Sequence, residues 1–281
     1  MRFTRLMLWL LVLMAQPASA QTLPSLQSLR QQLTAMVGAS SGDVGIAALD
    51  LRSGELISVQ GDEPFPMAST VKVAIAANYL AQVEAGRRSL SDTIRGRTAS
   101  RLMEAMLIHS DNAATDILLR DLGGPRTIQH WLTQNELSGL RIDRSIAQLL
   151  SDRRDLRDVR DSSTPRAMVE LLQRIDSGRL LRPASRSYLL GLMSRCMTGR
   201  NRIRGLLPMG TPVEHKTGTL TGYTSDVGFI TMPDGRRIAV ALFARGRDDR
   251  PRLIARAARV IYDGFAAAFR YPFGAAAFAS P

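Results

Sequence analysis

Strand-like alternation marks both ends of this chain, and helical spacing fills the stretch between them. Asp43–Leu51 and Glu55–Gln60 read as two strands that meet through Arg52-Ser53-Gly54, a hairpin with a turn glycine. Val213–Lys216, Ser225–Met232 and Arg237–Ala244 alternate again, the last two joined by Pro233-Asp234-Gly235. Leu26–Val37 opens the chain as a helix and Arg250–Arg270 closes it as one. From Thr70 to about Leu206 the signals are helical, broken at Gly86, Gly123-Gly124-Pro125 and Ser138-Gly139. Strands at opposite ends share a sheet only if the ends come together. The pattern therefore predicts an α/β (α+β) fold: an antiparallel sheet formed by N- and C-terminal segments, flanked by helices, with an all-helical subdomain inserted. The expected division of a single domain, residues 21–281, is 21–68 with 207–281 for the sheet part and 69–206 for the helical part.

Residues 1–20 read as a signal peptide. Arg2 and Arg5 form a basic start, Leu6–Met14 an apolar core, and Ala18-Ser19-Ala20 a cleavage site before Gln21. The apolar run is too short to span a bilayer. The expectation is a secreted protein, periplasmic in a two-membrane host, without stable membrane insertion. Cys196 is the single cysteine, so no intramolecular disulfide forms, and it reads as a buried, inert thiol. The formal charge is +12, yet aromatics are only 5%. Scattered arginines without interleaved aromatics argue against a nucleic-acid partner. His109, His130 and His215 stand far apart with no Cys or Glu at ligand spacing, so neither a metal nor another cofactor is expected.

Three short motifs carry the chemistry. Ser69 and Lys72 stand three residues apart at the head of an apolar helical stretch, Val71–Leu80, and such residues share a helix face. A serine hydroxyl needs a neighbouring base to become a nucleophile, and an amine that accepts its proton is one. The helix N-terminus adds free N–H groups where an oxyanion would form. S-x-x-K alone is common. Ser110-Asp111-Asn112 then follows the helical segment Ala99–His109, and Lys216-Thr217-Gly218-Thr219 comes later still. In this order the three motifs are a specific combination.

On these motifs the chain, from about Asp43 to Phe265, resembles the class A serine β-lactamases within the penicillin-binding superfamily. The resemblance implies a site in the groove between the sheet and helical parts, and opening of a small-molecule β-lactam through a Ser69 acyl-enzyme, hence antibiotic resistance. Ser69 is then the nucleophile, Lys72 its base or proton relay, and Ser110 the proton carrier to the leaving nitrogen. Lys216 holds Ser110 and a substrate carboxylate. Asn112 binds an acylamino side chain, and Thr217, Gly218 and Thr219 line the substrate, with the Thr219 and Ser69 N–H groups as oxyanion hole. Asp111 is expected to fix a turn. Arg144 and Asp161 match the two ends of the omega loop. A monomer is expected.

Two departures matter. The family has a glutamate and an asparagine in that loop, which hold the deacylating water. Counting forward from Asp143 puts Ile146 and Leu150 at those positions; counting back from Asp161 puts Gln148 and Asp152 there. Neither count yields a glutamate, so Gln148 and Asp152 are the candidate water-holding residues, with Asp155 and Asp158 as further carboxylates, and slow deacylation is expected. The alternative is a penicillin-binding or D,D-peptidase-like acyl hydrolase, acting on a peptidoglycan-like substrate and releasing β-lactams poorly. The second departure is Gly86–Arg101, short and without an aromatic, which implies a more open groove. The arginine that binds a substrate carboxylate is absent from Thr224-Ser225-Asp226, leaving Arg250 or Arg252. A Ser-His-Asp reading through His215 is the weaker competitor, since no G-x-S-x-G surrounds Ser69.

Overall fold

The structure, a computed structural model, describes residues 24–153, 155–247 and 249–268. The signal-peptide expectation for residues 1–20 lies outside them. Helix α1 (Pro24–Gly38) leads into the hairpin of β1 (Asp43–Asp50) and β2 (Leu56–Val59). A two-residue strand β3 (Phe65–Pro66) and a 3-10 turn, Ala68–Val71, precede α2 (Lys72–Glu84). A small hairpin, β4 (Thr93–Ile94) and β5 (Arg97–Thr98), leads to α3 (Ala99–Ile108), α4 (Asn112–Asp121), α5 (Pro125–Gln134) and α6 (Ile146–Ser151). Strand β6 (Ser162–Ser163) pairs with β3, and α7 (Pro165–Asp176) and α8 (Pro183–Ser194) follow. The chain returns through a 3-10 turn, Ile203–Leu206, into β7 (Val213–Leu220), β8 (Tyr223–Thr231), β9 (Arg237–Arg245) and α9 (Arg250–Ala268).

The five long strands form one antiparallel sheet in the order β2-β1-β9-β8-β7. The period-two pattern sorts its side chains into two cores. Val44, Ile46, Ala48, Ile238, Val240 and Leu242 pack under α1 and α9 against Leu29, Leu33, Ile254 and Ile261. Ala47, Leu49, Ala239, Ala241 and Phe243 face the other way, with Phe65 and the helical part. Both faces are covered, which is why β1 and β9 read as near-continuous apolar runs.

Two boundaries differ from expectation in ways that shape the site. The strand expected to end at Lys216 runs on to Leu220, because Gly218 and Thr219 keep their register with Ser225 and Thr224 of β8. The motif thus lies inside an edge strand. Ser69 does not open the α-helix but sits in the tighter 3-10 turn before it, with α2 starting at Lys72.

Candidate active site

The nucleophile candidate stands on a strained turn. Ala68 has φ 48° and Ser110 has φ 59°. Left-handed conformations cost a non-glycine residue about 1–3 kcal/mol and concentrate at functional sites. Thr70 ties the turn by donating through N–H and Oγ to the Met67 carbonyl, at 3.0 and 2.7 Å. Gly218 lets β7 pass close by: a Cβ there would lie 2.7 Å from the Met67 carbonyl oxygen and 2.4 Å from Ser225 Oγ. This brings the Thr219 end of β7 alongside the half-buried Ser69.

A polar hub joins the three motifs. Lys72 Nζ donates to the Ser110 carbonyl at 2.8 Å, to Ser110 Oγ at 3.1 Å and to Asn112 Oδ1 at 2.7 Å. Lys216 Nζ donates to the same Ser110 Oγ at 2.9 Å and to the Thr217 carbonyl at 3.0 Å. Both lysines are fully buried. Burial, reinforced by the Lys216 charge, brings Lys72 down to about 7, and burial brings Lys216 down to about 8. The direct Ser69–Lys72 contact expected from their spacing is not among the hydrogen bonds of the described residues; the amine reaches across to Ser110 and Asn112 instead. Asp111 has the structural place expected of it: it caps α4, its carboxylate accepting from Ala114 N–H at 2.7 Å.

Neither arginine expected to bind a substrate carboxylate is bonded to the motif strand among the described residues. Arg250 donates to the Gly246 carbonyl beside the start of α9. Arg252 lines a surface cleft with Met36, Ala39 and Ser40. Arg202, from the long segment between α8 and β7, reaches the motif strand instead. It donates to the Gly218 carbonyl at 3.0 Å, the Ser225 carbonyl at 2.9 Å and Thr219 Oγ1 at 2.7 Å. Nothing in its local sequence sets it apart from Arg200 or Arg204. Thr217 Oγ1 meets Thr198 Oγ1 from the same segment at 2.5 Å. That segment is fastened by a buried pair: His215 Nδ1 meets both Asp226 carboxylate oxygens at 2.8 and 3.0 Å, and Asp226 Oδ2 accepts from Ile203 N–H at 3.2 Å. Alternation along β7 puts His215 on the face opposite Lys216. His215 is therefore not a base beside Ser69.

The loop from Asp143 to Asp161 closes as expected. Arg144 Nε lies 2.6 Å from Asp161 Oδ2, its Nη1 2.8 Å from Asp152 and its Nη2 3.5 Å from Asp158. Both Arg144 and Asp161 are buried, and Met67 N–H donates to the Asp161 carbonyl at 2.9 Å, which fixes the loop neck to the nucleophile turn. Asp116 accepts from the N–H groups of Ile146 and Ala147 at 2.7 and 2.9 Å, and α6 starts with a Ser145–Gln148 capping box. This geometry turns Ile146 and Leu149 inward, onto Ala68, Val71 and Ile75, around a cavity of about 10 Å³. Of the two candidate water-holding residues, exposed Gln148 accepts from Ser145 N–H at 3.0 Å and is committed to the cap. Asp152 is bound to Arg144 and lines a cleft of about 430 Å³ with Leu149, Leu150, Leu156, Thr219, Leu220 and Thr221. The loop's other carboxylates are engaged on their own segment: Asp155 accepts from Arg157 N–H and Asp158 is paired with Arg160.

Comparison with known proteins gives one consistent relationship. The model of the β-lactamase enzyme family matches residues 28–265. The carbapenem-hydrolyzing β-lactamase KPC of Klebsiella oxytoca is 32% identical over 248 residues, 79% of this chain and 84% of that protein. The extended-spectrum β-lactamase PER-1 of Pseudomonas aeruginosa is 28% identical over 284 residues, 89% and 92% of the two chains. Among solved structures, an ancestral class A β-lactamase superposes with a TM-score of 0.80 at 33% identity, covering 84% of this chain and 100% of its own. A β-lactamase from Chitinophaga pinensis superposes with a TM-score of 0.79 at 28% identity, covering 85% and 99%.

Proposed function

This chain belongs to the β-lactamase enzyme family, and from that premise we propose that it opens β-lactam rings by acylating Ser69 and releases the acyl group slowly. The observation that carries the reading is the hub in which Lys72 and Lys216 both donate to Ser110 Oγ. Lys72, held near neutrality, takes the Ser69 proton as the hydroxyl attacks the ring carbonyl. Its shortest bond to a side chain is to Asn112 Oδ1, at 2.7 Å. The N–H groups of Ser69 and Thr219 hold the oxyanion. Ser110 hands a proton to the departing ring nitrogen. Lys216, Arg202 and Thr219 bind the substrate carboxylate, Asn112 the acylamino group, and the cleft beside Asp152 the rest of the side chain. Thr217 and Gly218 shape the strand against which the substrate lies. Export is part of this reading and rests on the sequence of residues 1–20 alone.

A second reading, a penicillin-binding protein that stays acylated, is favoured by one observation: Ile146 and Leu149 pack where the loop meets the nucleophile turn. A chromogenic cephalosporin assay with intact-protein mass spectrometry tests both. Steady turnover with a transient adduct at Ser69 supports the lactamase. One stoichiometric burst and a lasting adduct supports the trap. No ring opening at all overturns both.

A further inference from the structure

We infer that Asp226, held by His215, is a positioning residue for recognition of the substrate carboxylate: it fixes Arg202 against β7 and supplies a buried negative charge behind Arg202 and Lys216. The inference rests on the reading above, in which those two cations meet the carboxylate, and it assigns a role to two side chains that reading leaves unused.

The first observation is the place of Asp226. It stands opposite Thr217 in the β7–β8 register and is fully buried. Partners across two strands share a face, so Asp226, Thr217 and His215 lie on the face away from Lys216. A carboxylate buried there needs partners. Its Oδ2 accepts from Ile203 N–H at 3.2 Å, and His215 Nδ1 meets its two oxygens at 2.8 and 3.0 Å. The Ile203 N–H opens the 3-10 turn Ile203–Leu206, and Arg202 before it gives that turn no side-chain cap. Asp226 supplies the cap from β8 instead. The bond lies one residue from Arg202, whose guanidinium reaches from there to the Gly218 and Ser225 carbonyls and Thr219 Oγ1.

The second observation is the other nitrogen of His215. Nε2 is buried and has no hydrogen-bond partner among the described residues. An imidazolium would carry a donor there with nothing to accept it. Neutral imidazole carries its one proton on Nδ1, toward Asp226. The pair then keeps the negative charge of the carboxylate instead of cancelling it.

The third observation is what surrounds that charge. The charged or titratable groups around it are Lys216 on β7, Arg202 and Cys196 on the segment before β7, and Tyr223 on β8. Helix α9 enters the same core with Ile254, Ala257 and Ala258, none of them charged. Burial pulls Arg202 below the ordinary arginine value, and the Asp226 charge opposes it. Burial brings Lys216 to about 8, opposed by Cys196 and then by Asp226. The hydrogen bonds of Asp226 go to Ile203 and His215, so it acts on both cations by charge and leaves their donors to a substrate.

The test uses the full-length mature protein. Adduct formation with benzylpenicillin and with its methyl ester, which lacks the carboxylate charge, is followed by intact mass, and the ratio of the two second-order rates is measured. Asp226→Asn should lower that ratio about tenfold, the worth of one charge-assisted hydrogen bond. It should do so by slowing the acid and not the ester, and should move the alkaline limb of the acid's pH profile downward. His215→Asn keeps a donor at the place of Nδ1 and should hold the ratio within about twofold of wild type, whereas His215→Leu should lower it as Asp226→Asn does. With Arg202 already replaced by Ala, Asp226→Asn should cost less than about threefold. An unchanged ratio in Asp226→Asn, or equal slowing of acid and ester, overturns the inference, because a mere brace moves both substrates together. A His215→Asn ratio well above wild type reveals an imidazolium and overturns the buried charge. If Asp226→Asn does not fold by circular dichroism, the two His215 variants decide, and equal ratios in them overturn the inference. No adduct with either substrate in the wild-type protein overturns the acyl-enzyme reading and this inference with it.

Discussion

On one side of the Ser69 turn, Lys72, Ser110, Asn112 and Lys216 form a hydrogen-bonded network across three elements; on the other, Ile146 and Leu149 lay hydrocarbon against Ala68 and Val71. The first side has charge that burial makes titratable near neutrality. The second has charge too, but Arg144 and its three carboxylates are turned to closing the loop. Proximity to the nucleophile is therefore not what separates a proton-transfer group from a structural one. What separates them is whether the group's hydrogen-bonding capacity is already taken by partners that cannot let go without opening the fold.

The comparison breaks most sharply at the nucleophile. Ser69→Ala is expected to abolish covalent labelling by a fluorescent penicillin, and Lys72→Ala to slow it by about 10²–10⁴-fold. Labelling at the wild-type rate in either variant would remove the polar side from catalysis. On the loop side, Asp161→Ala strands buried Arg144 and frees two backbone N–H groups. A loss of about 3–5 kcal/mol in denaturant unfolding is expected, with early proteolysis between residues 143 and 161. A loop of unchanged stability would mean that packing of Ile146 and Leu149, not the ion pair, holds it. Arg202→Ala removes charge-assisted bonds worth about 1.5–3 kcal/mol each. The expected signature is a rise in KM for substrates with a carboxylate and little change for a neutral analogue; equal losses for both would reduce Arg202 to a brace for β7.

The pH profile follows from the two lysines. Lys72 must be neutral to accept a proton, so acylation rises as pH passes upward through about 7. Lys216 must be charged to hold a carboxylate, so acylation falls above about 8. The alkaline limb should vanish for a substrate without the carboxylate. Folding stability has its own sign: both lysines hold fewer protons folded than unfolded, so stability should rise with pH from about 7 toward the ordinary lysine value of 10.5. The smallest effect is expected from Gln148→Glu. Glutamate keeps the capping box, and the side chain is exposed, so adduct lifetime should not change. A markedly shorter lifetime would show that this residue reaches the water after all.

The order of the three motifs, the period-two strands at both ends and the missing loop glutamate were all legible in the chain, because each is a matter of residue type and short spacing. Local pattern located β1 and β9 as strands, and helical spacing located α2 to within a few residues at its start, whereas burial of both strand faces followed from helices packing on each side of the sheet. The tertiary structure decided the rest. Lys72 stands three residues from Ser69, yet its bonds go to residues 38 and 40 positions away. Arg202 reaches Thr219 through tertiary packing alone, since a loop fastened through Asp226 carries it onto β7, while Arg250 bonds to Gly246 and Arg252 lines a separate cleft. Two equally good counts along the 143–161 loop were separated only when Asp116, thirty residues earlier, took the N–H of Ile146 and turned that side chain inward. Local pattern specifies which face of an element is buried; which partner meets a polar atom depends on long-range packing, where a one-residue difference in loop length moves a side chain from the core to solvent.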